Sequence, residues 1–178
     1  MHAALALEDG RFFYGRSFGA QSASFGEVVF HTGMTGYQEI ITDPSYRGQI
    51  VVMTAPLIGN YGVNPEDIEA QKLHLAGMAV REYCAQPSSW RSREPLGSLL
   101  KEHHVAGISG IDTRALTRHL RTVGALRGGI GVNMRDEDLL QAVCASPSLQ
   151  GQNLVKEVCT RKAYEWTSRI SESWSADS

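Results

Sequence analysis

Lysine is scarce in this chain. Only four of its seventeen basic residues are Lys and thirteen are Arg, set against nineteen acidic residues. The formal charge of −2 leaves no basic excess of the kind that nucleic acid or an anionic membrane surface requires. The Arg bias reads as a compositional habit of the source, and Arg also suits ion pairs at interfaces. Long apolar runs are missing too: no stretch approaches the ~20 residues that span a bilayer. Residues Met1 to Leu7 carry no basic leader and run straight into Glu8 and Asp9, so no secretory signal is expected. Cysteine is sparse, with Cys84, Cys144 and Cys159 odd in number, far apart and without a C-x-x-C pair. That excludes a disulfide framework and predicts a cytoplasmic, reducing location.

What is present is ordinary globular material. The 178 residues are 42% hydrophobic and 20% charged, enough for one domain to bury a core without staples. Ala3 to Leu7 and Phe12 to Arg16 flank Glu8-Asp9-Gly10, the pattern of a hairpin. Further strands are predicted at Gly26 to Thr32, at the β-branched run Gln49 to Thr54, at His74 to Arg81, at the Gly-broken segment Leu126 to Val132 and at Leu154 to Val158. Asp112 is placed to cap a helix over Thr113 to Val123, stopped by Gly124. Asn133 is placed to start another near Met134 to Ala145, with Asp136, Glu137 and Asp138 at its positive end. Ser98 to His104 is a shorter helical candidate. Strands come mostly in the first half and helices in the second, which is α+β layering.

Chemistry-bearing patterns are few. A nucleophilic cysteine wants an exposed, Gly-flanked elbow; the sequences EYCAQ, AVCAS and EVCTR offer none, and all three thiols are expected to be small core residues. His103-His104 is read as a helix end before a strand, and His119 as a surface or half-buried residue, so no metal site is predicted. Gly128-Gly129-Ile130-Gly131 lacks the Lys-Ser/Thr of a phosphate loop and reads as a strand under close backbone approach. Ser45 sits in no G-x-S-x-G elbow. No catalytic residue is assigned.

The densest segment is Thr32 to Asn64. It holds Gly33, Gly36, Gly48, Gly59 and Gly62 with Pro44 and Pro56, around a helix-like stretch at Tyr37 to Ile41. Asp43-Pro44-Ser45-Tyr46 has Asp as side-chain acceptor and Pro at the second position of a turn. A structured loop of this kind serves either the fold alone or recognition.

The same segment carries a resemblance. GEVVFHTGMTGYQEIITDPSYRGQIVVMTAPLIGNYGVN (residues 26 to 64) strongly resembles the amino-terminal domain of the small subunit of glutamine-dependent carbamoyl-phosphate synthetase. The likeness continues, in order, through AGMAVRE (Ala76 to Glu82), GISGIDTRALTRHLRTVGALRGGI (Gly107 to Ile130) and AYEW (Ala163 to Trp166). It implies a three-layer β/β/α swivelling-type domain over residues 1–166. It also implies an enzyme that makes carbamoyl phosphate from glutamine, bicarbonate and ATP, for pyrimidine and arginine synthesis. Partners implied are the large subunit, which would hold ATP and Mg, and a glutamine amidotransferase domain of the same full-length subunit. Ser45, the Ser of the family's DPSY motif, is implied in glutamine binding.

In the family the amidotransferase half supplies a Cys elbow and a His-Glu pair, and this chain shows neither. A fragment is therefore expected, inactive alone and with no cofactor of its own, whose residues 167–178 are a linker or frayed end. An exposed face rich in Tyr, Met and Arg is expected where partners dock, with Met34, Tyr37, Tyr46 and Tyr61 as candidates. Two other readings compete: a stand-alone binding or scaffolding protein of the same fold, and a hydrolase that pairs Ser45 with His31 or His74.

Overall fold

The computed structural model describes residues 1–70, 72–165 and 167. The linker expected at 167–178 lies outside them except for its first residue, as does Trp166 at the close of the expected domain. The described chain forms β1 (His2–Leu7), β2 (Phe12–Gly19), β3 (Ser24–His31), α1 (Tyr37–Thr42), a 3-10 turn (Pro44–Tyr46), β4 (Gln49–Met53), β5 (Leu57–Ile58), β6 (Gly77–Ala79) and β7 (Glu82–Tyr83). It continues as α2 (Leu96–Glu102), β8 (Ala106–Ser109), α3 (Thr113–Val123), β9 (Leu126–Val132), α4 (Asp136–Ala145) and α5 (Val155–Val158).

Seven strands close into a barrel in the order β1-β2-β8-β6-β4-β3-β9, and β5 pairs with β7 in a separate two-stranded ribbon. Pairing is parallel for β3 with β4, β4 with β6 and β6 with β8; the other barrel pairs are antiparallel. The fold is thus mixed α/β. Its main sheet is a closed barrel.

Side-chain alternation puts apolar residues of β1 and β4 on both faces of the barrel wall, and both faces are covered. In β4, Ile50 and Val52 point into the barrel while Val51 and Met53 point outward under α1 and α2. β1 does the same: Leu5 and Leu7 face inward, and Ala4 and Ala6 lie beneath Leu139 and Val143 of α4. Leu116 and Leu120 of α3 join the interior cluster with Ile108 and Ile130, so this helix plugs the barrel. Both leucines are nearly or fully buried, and removing such a side chain costs about 2–5 kcal/mol. Close approach also accounts for the glycine run in β9. A Cβ on Gly129 would sit 2.6 Å from Phe25 Cδ1 and 2.9 Å from Val143 Cγ2. One on Gly131 would meet Leu139 at 3.0 Å.

Several expected boundaries hold. Asp112 caps α3 by accepting the Ala115 N–H at 2.9 Å, and Gly124 ends it at φ 93°. Others shift for identifiable reasons. Asn133 lies in the left-handed region at φ 53°, so α4 starts only at Asp136, with its three acidic residues at the positive end as expected. His104, at φ 57°, likewise terminates the α2 segment before β8. The strand expected at Leu154 to Val158 is instead a helical turn; with the barrel complete, no strand position is left for it, and the segment stays largely exposed.

The cysteines correct another expectation. Cys144 and Cys159 are exposed and Cys84 is half-buried. In α4 the buried positions are Leu139 and Val143, four apart, and Cys144 falls about 100° around the helix from Val143.

Candidate functional site

The glycine-rich segment becomes a braced loop system beside α1. Gly36 stands at the helix N-cap with φ 79°, a conformation glycine adopts at little steric cost, but it has no side chain to cap with. Tyr61 supplies the cap from a distance: its hydroxyl oxygen accepts the N–H of Gly36 at 2.8 Å and of Tyr37 at 2.9 Å. The two rings stack at 4.0 Å, and the Tyr37 hydroxyl donates to the Gly62 carbonyl at 2.6 Å. Burial pushes both phenols up from their ordinary value, which keeps them protonated. Gln38 then bonds Asn64 through both backbone groups, accepting its N–H at 2.9 Å and donating to its carbonyl. Thr42 accepts the Glu69 N–H at 3.0 Å. Segment 59–69 is therefore laced onto α1 along its length.

The DPSY turn follows directly. Asp43 Oδ1 accepts the Ser45 N–H at 2.8 Å, and the Tyr46 N–H donates to the Asp43 carbonyl at 3.1 Å. Pro44 presets the first residue of the turn. Ser45 is left exposed on this rigid corner. Tyr46 presents its edge to His31, with ring centroids 6.3 Å apart. Arg47 reaches Glu157 of α5 with Nε at 2.9 Å and Nη2 at 2.6 Å. The Gly48 N–H donates to the His74 carbonyl at 3.2 Å, and Leu149 packs where a Gly48 side chain would be. Burial lowers the His74 pKa, aided by the Arg47 and Lys72 charges and opposed by Asp43.

This geometry suits recognition. A serine hydroxyl both donates and accepts, and the capped turn fixes where it points. Acyl transfer would need a base on that hydroxyl, but among the described residues no hydrogen bond joins Ser45 Oγ to His31 or His74. His31 is occupied locally, its Nδ1 accepting the Gly33 N–H at 2.9 Å. No group of three metal-ligating side chains occurs among the described residues. His119 is half-buried, as expected, and pairs with Asp9 at 2.6 Å, tying the β1–β2 turn to α3.

The expected Tyr- and Met-rich docking face is only partly present. Met34 is 71% exposed, whereas Tyr37 is buried at 1% and Tyr46 and Tyr61 are half-buried. Tyr37 and Tyr61 are turned in because their hydroxyls satisfy loop backbone, and Tyr46 packs against the cluster under α1 and α2. Sequence reasoning missed Arg47, Glu157 and Tyr61 as organisers of the site. Nothing local marks a pair 110 residues apart, and a tyrosine that caps a helix 24 residues upstream has no spacing signature.

A braced, glycine-rich loop cluster thus sits on a closed β-barrel, and among the described residues of that cluster no hydrogen bond pairs a serine hydroxyl with an imidazole. Comparison with known proteins gives the family. The profile described as carbamoyl-phosphate synthase small chain, CPSase domain, matches residues 5–130, and the chain belongs to that family. The carbamoyl phosphate synthase small chain of Nostoc sp. is 54% identical over 175 residues, covering 98% of this chain and 45% of the relative. The small chain of Syntrophotalea carbinolica is 54% identical over 168 residues, covering 94% and 45%. That of Thermosynechococcus vestitus is 54% identical over 173 residues, covering 97% and 45%. The chain thus spans a little under half the length of these curated relatives.

Proposed function

We propose that this chain is the amino-terminal domain of the small subunit of a glutamine-dependent carbamoyl-phosphate synthetase. In this reading the whole enzyme joins glutamine nitrogen, bicarbonate and ATP into carbamoyl phosphate, in the cytoplasm, for pyrimidine and arginine synthesis. The domain docks a large subunit, which holds ATP and Mg, and borders a glutamine site completed by an amidotransferase domain. Ser45 contributes a hydrogen bond to the polar head of glutamine, and the domain alone does not hydrolyse it. The observation that carries the proposal is the exposed Ser45 on an Asp43-capped turn, in a chain whose relatives are named synthase small chains. The same relatives favour this reading over a stand-alone scaffold. In fold terms we take the barrel, its helical cover and the β5–β7 ribbon as a form of the three-layer β/β/α swivelling domain.

The test is Ser45→Ala in the assembled synthetase. A lost substrate hydrogen bond of about 0.5–1.5 kcal/mol raises the KM for glutamine about two- to tenfold. An unchanged KM refutes the assignment of Ser45. The isolated chain, given glutamine, is expected to release no glutamate above background; steady release would overturn its passive role.

A further inference from the structure

The only side-chain ion pair of the DPSYR corner runs, among the described residues, to the far end of the chain. Arg47 follows Ser45 by two residues, and both its Nε and Nη2 lie on the same Glu157 oxygen, at 2.9 and 2.6 Å. A second contact comes from the same stretch. Leu149 sits over Gly48, its Cδ2 3.0 Å from where a Cβ would be, so residues 149–157 lie along the corner at two points. The stretch is internally braced as well: Gln152 donates to the Ser148 carbonyl at 2.6 Å, and the Cys159 N–H closes α5 onto Val155 at 2.9 Å. On the other side Gly48 bonds His74, whose ring feels both Arg47 and Asp43. Among the described residues, Arg47 is thus the cation whose ion pair joins the Ser45 corner to the 149–158 strap.

We infer that Arg47 is a positioning residue: its pair with Glu157 ties strap 149–158 to the Ser45 corner, so that whatever follows the strap begins beside Ser45. The inference rests on the proposed glutamine role of Ser45 and explains how a residue here reaches a site completed elsewhere. In relatives of more than twice this length, the strap fixes the distance between the Ser45 hydroxyl and the protein that comes next. Geometry of that kind enters the binding of glutamine and leaves alone any step that bypasses glutamine.

The experiment uses the assembled synthetase with Arg47→Ala, Glu157→Ala and the swapped pair Arg47→Glu/Glu157→Arg, assayed with glutamine and separately with ammonium chloride as nitrogen source. An exposed pair of this type shifts an equilibrium by up to about fivefold. Each single variant is expected to raise the KM for glutamine about two- to fivefold, with the ammonium-supported rate unchanged, and the swapped pair is expected to restore it. A glutamine KM unaffected by either single variant, in an enzyme where Ser45→Ala raises it, overturns the strap and leaves the Ser45 role standing. If Ser45→Ala has no effect either, the underlying reading fails first. Equal losses with glutamine and ammonium, or a swap that rescues nothing, reduce the pair to general stability and also reject the inference. Hydrogen exchange on the present chain gives a readout free of substrate: Arg47→Ala should speed exchange at both 45–48 and 155–159, and unchanged exchange there counts against the tie.

Discussion

Replacing Tyr61 by Phe removes one oxygen atom and preserves the ring that stacks on Tyr37 at 4.0 Å. That oxygen accepts two backbone hydrogen bonds, from Gly36 and Tyr37, at the first turn of α1. Neither donor has an intrahelical partner, because the first N–H groups of any helix lack one. Leaving a buried donor unsatisfied costs about 1–3 kcal/mol. Tyr61 is only half-buried, so water can reach part of the gap and the lower end applies to each donor. The sum is about 2 kcal/mol. For a domain of this size that corresponds to a fall in Tm of about 4–8 °C. Urea unfolding followed by circular dichroism measures it directly, and exchange of the Gly36 and Tyr37 amides should rise ahead of the barrel strands. Tyr61→Ala, which also loses the stack, should cost distinctly more. If Tyr61→Phe stays within about 0.5 kcal/mol of the parent, as inert surface changes do, the idea that one phenol caps α1 is wrong.

Further outcomes follow from the same contacts. Asp112→Ala strips the α3 cap and should lower stability by about 1 kcal/mol in chemical denaturation, with Asp112→Asn retaining most of it. Leu116→Ala empties a fully buried position in the barrel plug and should cost about 2–5 kcal/mol; a loss below about 1 kcal/mol in the same assay would mean that α3 does not seal the interior. The folded pKa of His74 is depressed, by burial first and then by the Arg47 and Lys72 charges. The unfolded chain therefore binds the proton more readily, so this stability is present above the ordinary histidine value and lost as pH falls below it. A His74→Gln variant should show a flatter acid limb in a Tm-against-pH series. Glu8 is depressed too, chiefly by the Arg127 N–H and then by its guanidinium against a desolvation cost. Its contribution fades at lower pH, below the usual carboxylate range, and Glu8→Gln should remove that further slope.

Local signals carried much of this architecture. The Asp-Gly hairpin, the Asp112 cap with the Gly124 stop and the β-branched run at Gln49 are all short-range devices whose physics is complete within a few residues. The DPSY turn was legible for the same reason, since Asp43 and Ser45 are two apart. Closure of the barrel was not legible, because register between β1 and β9 joins residues more than 120 apart. Apolar alternation shows that both faces of β4 are covered without saying by what. Cys144 looks like a core residue from its apolar neighbours but is exposed, because Leu139 and Val143 alone define the buried stripe of α4. Asn133 failed as a helix start because its backbone, held by a bond from its N–H to His2, turns left-handed.

Closure also limits how this domain can be met by other proteins. Each of the seven barrel strands is flanked on both sides by another, so no ladder of free amides and carbonyls runs along the barrel wall to recruit a foreign strand. The two-residue strands of the β5–β7 ribbon are too short to serve instead. Among the described residues, what the barrel offers to another molecule is loops and side chains held in fixed positions, a shape set before any contact is made.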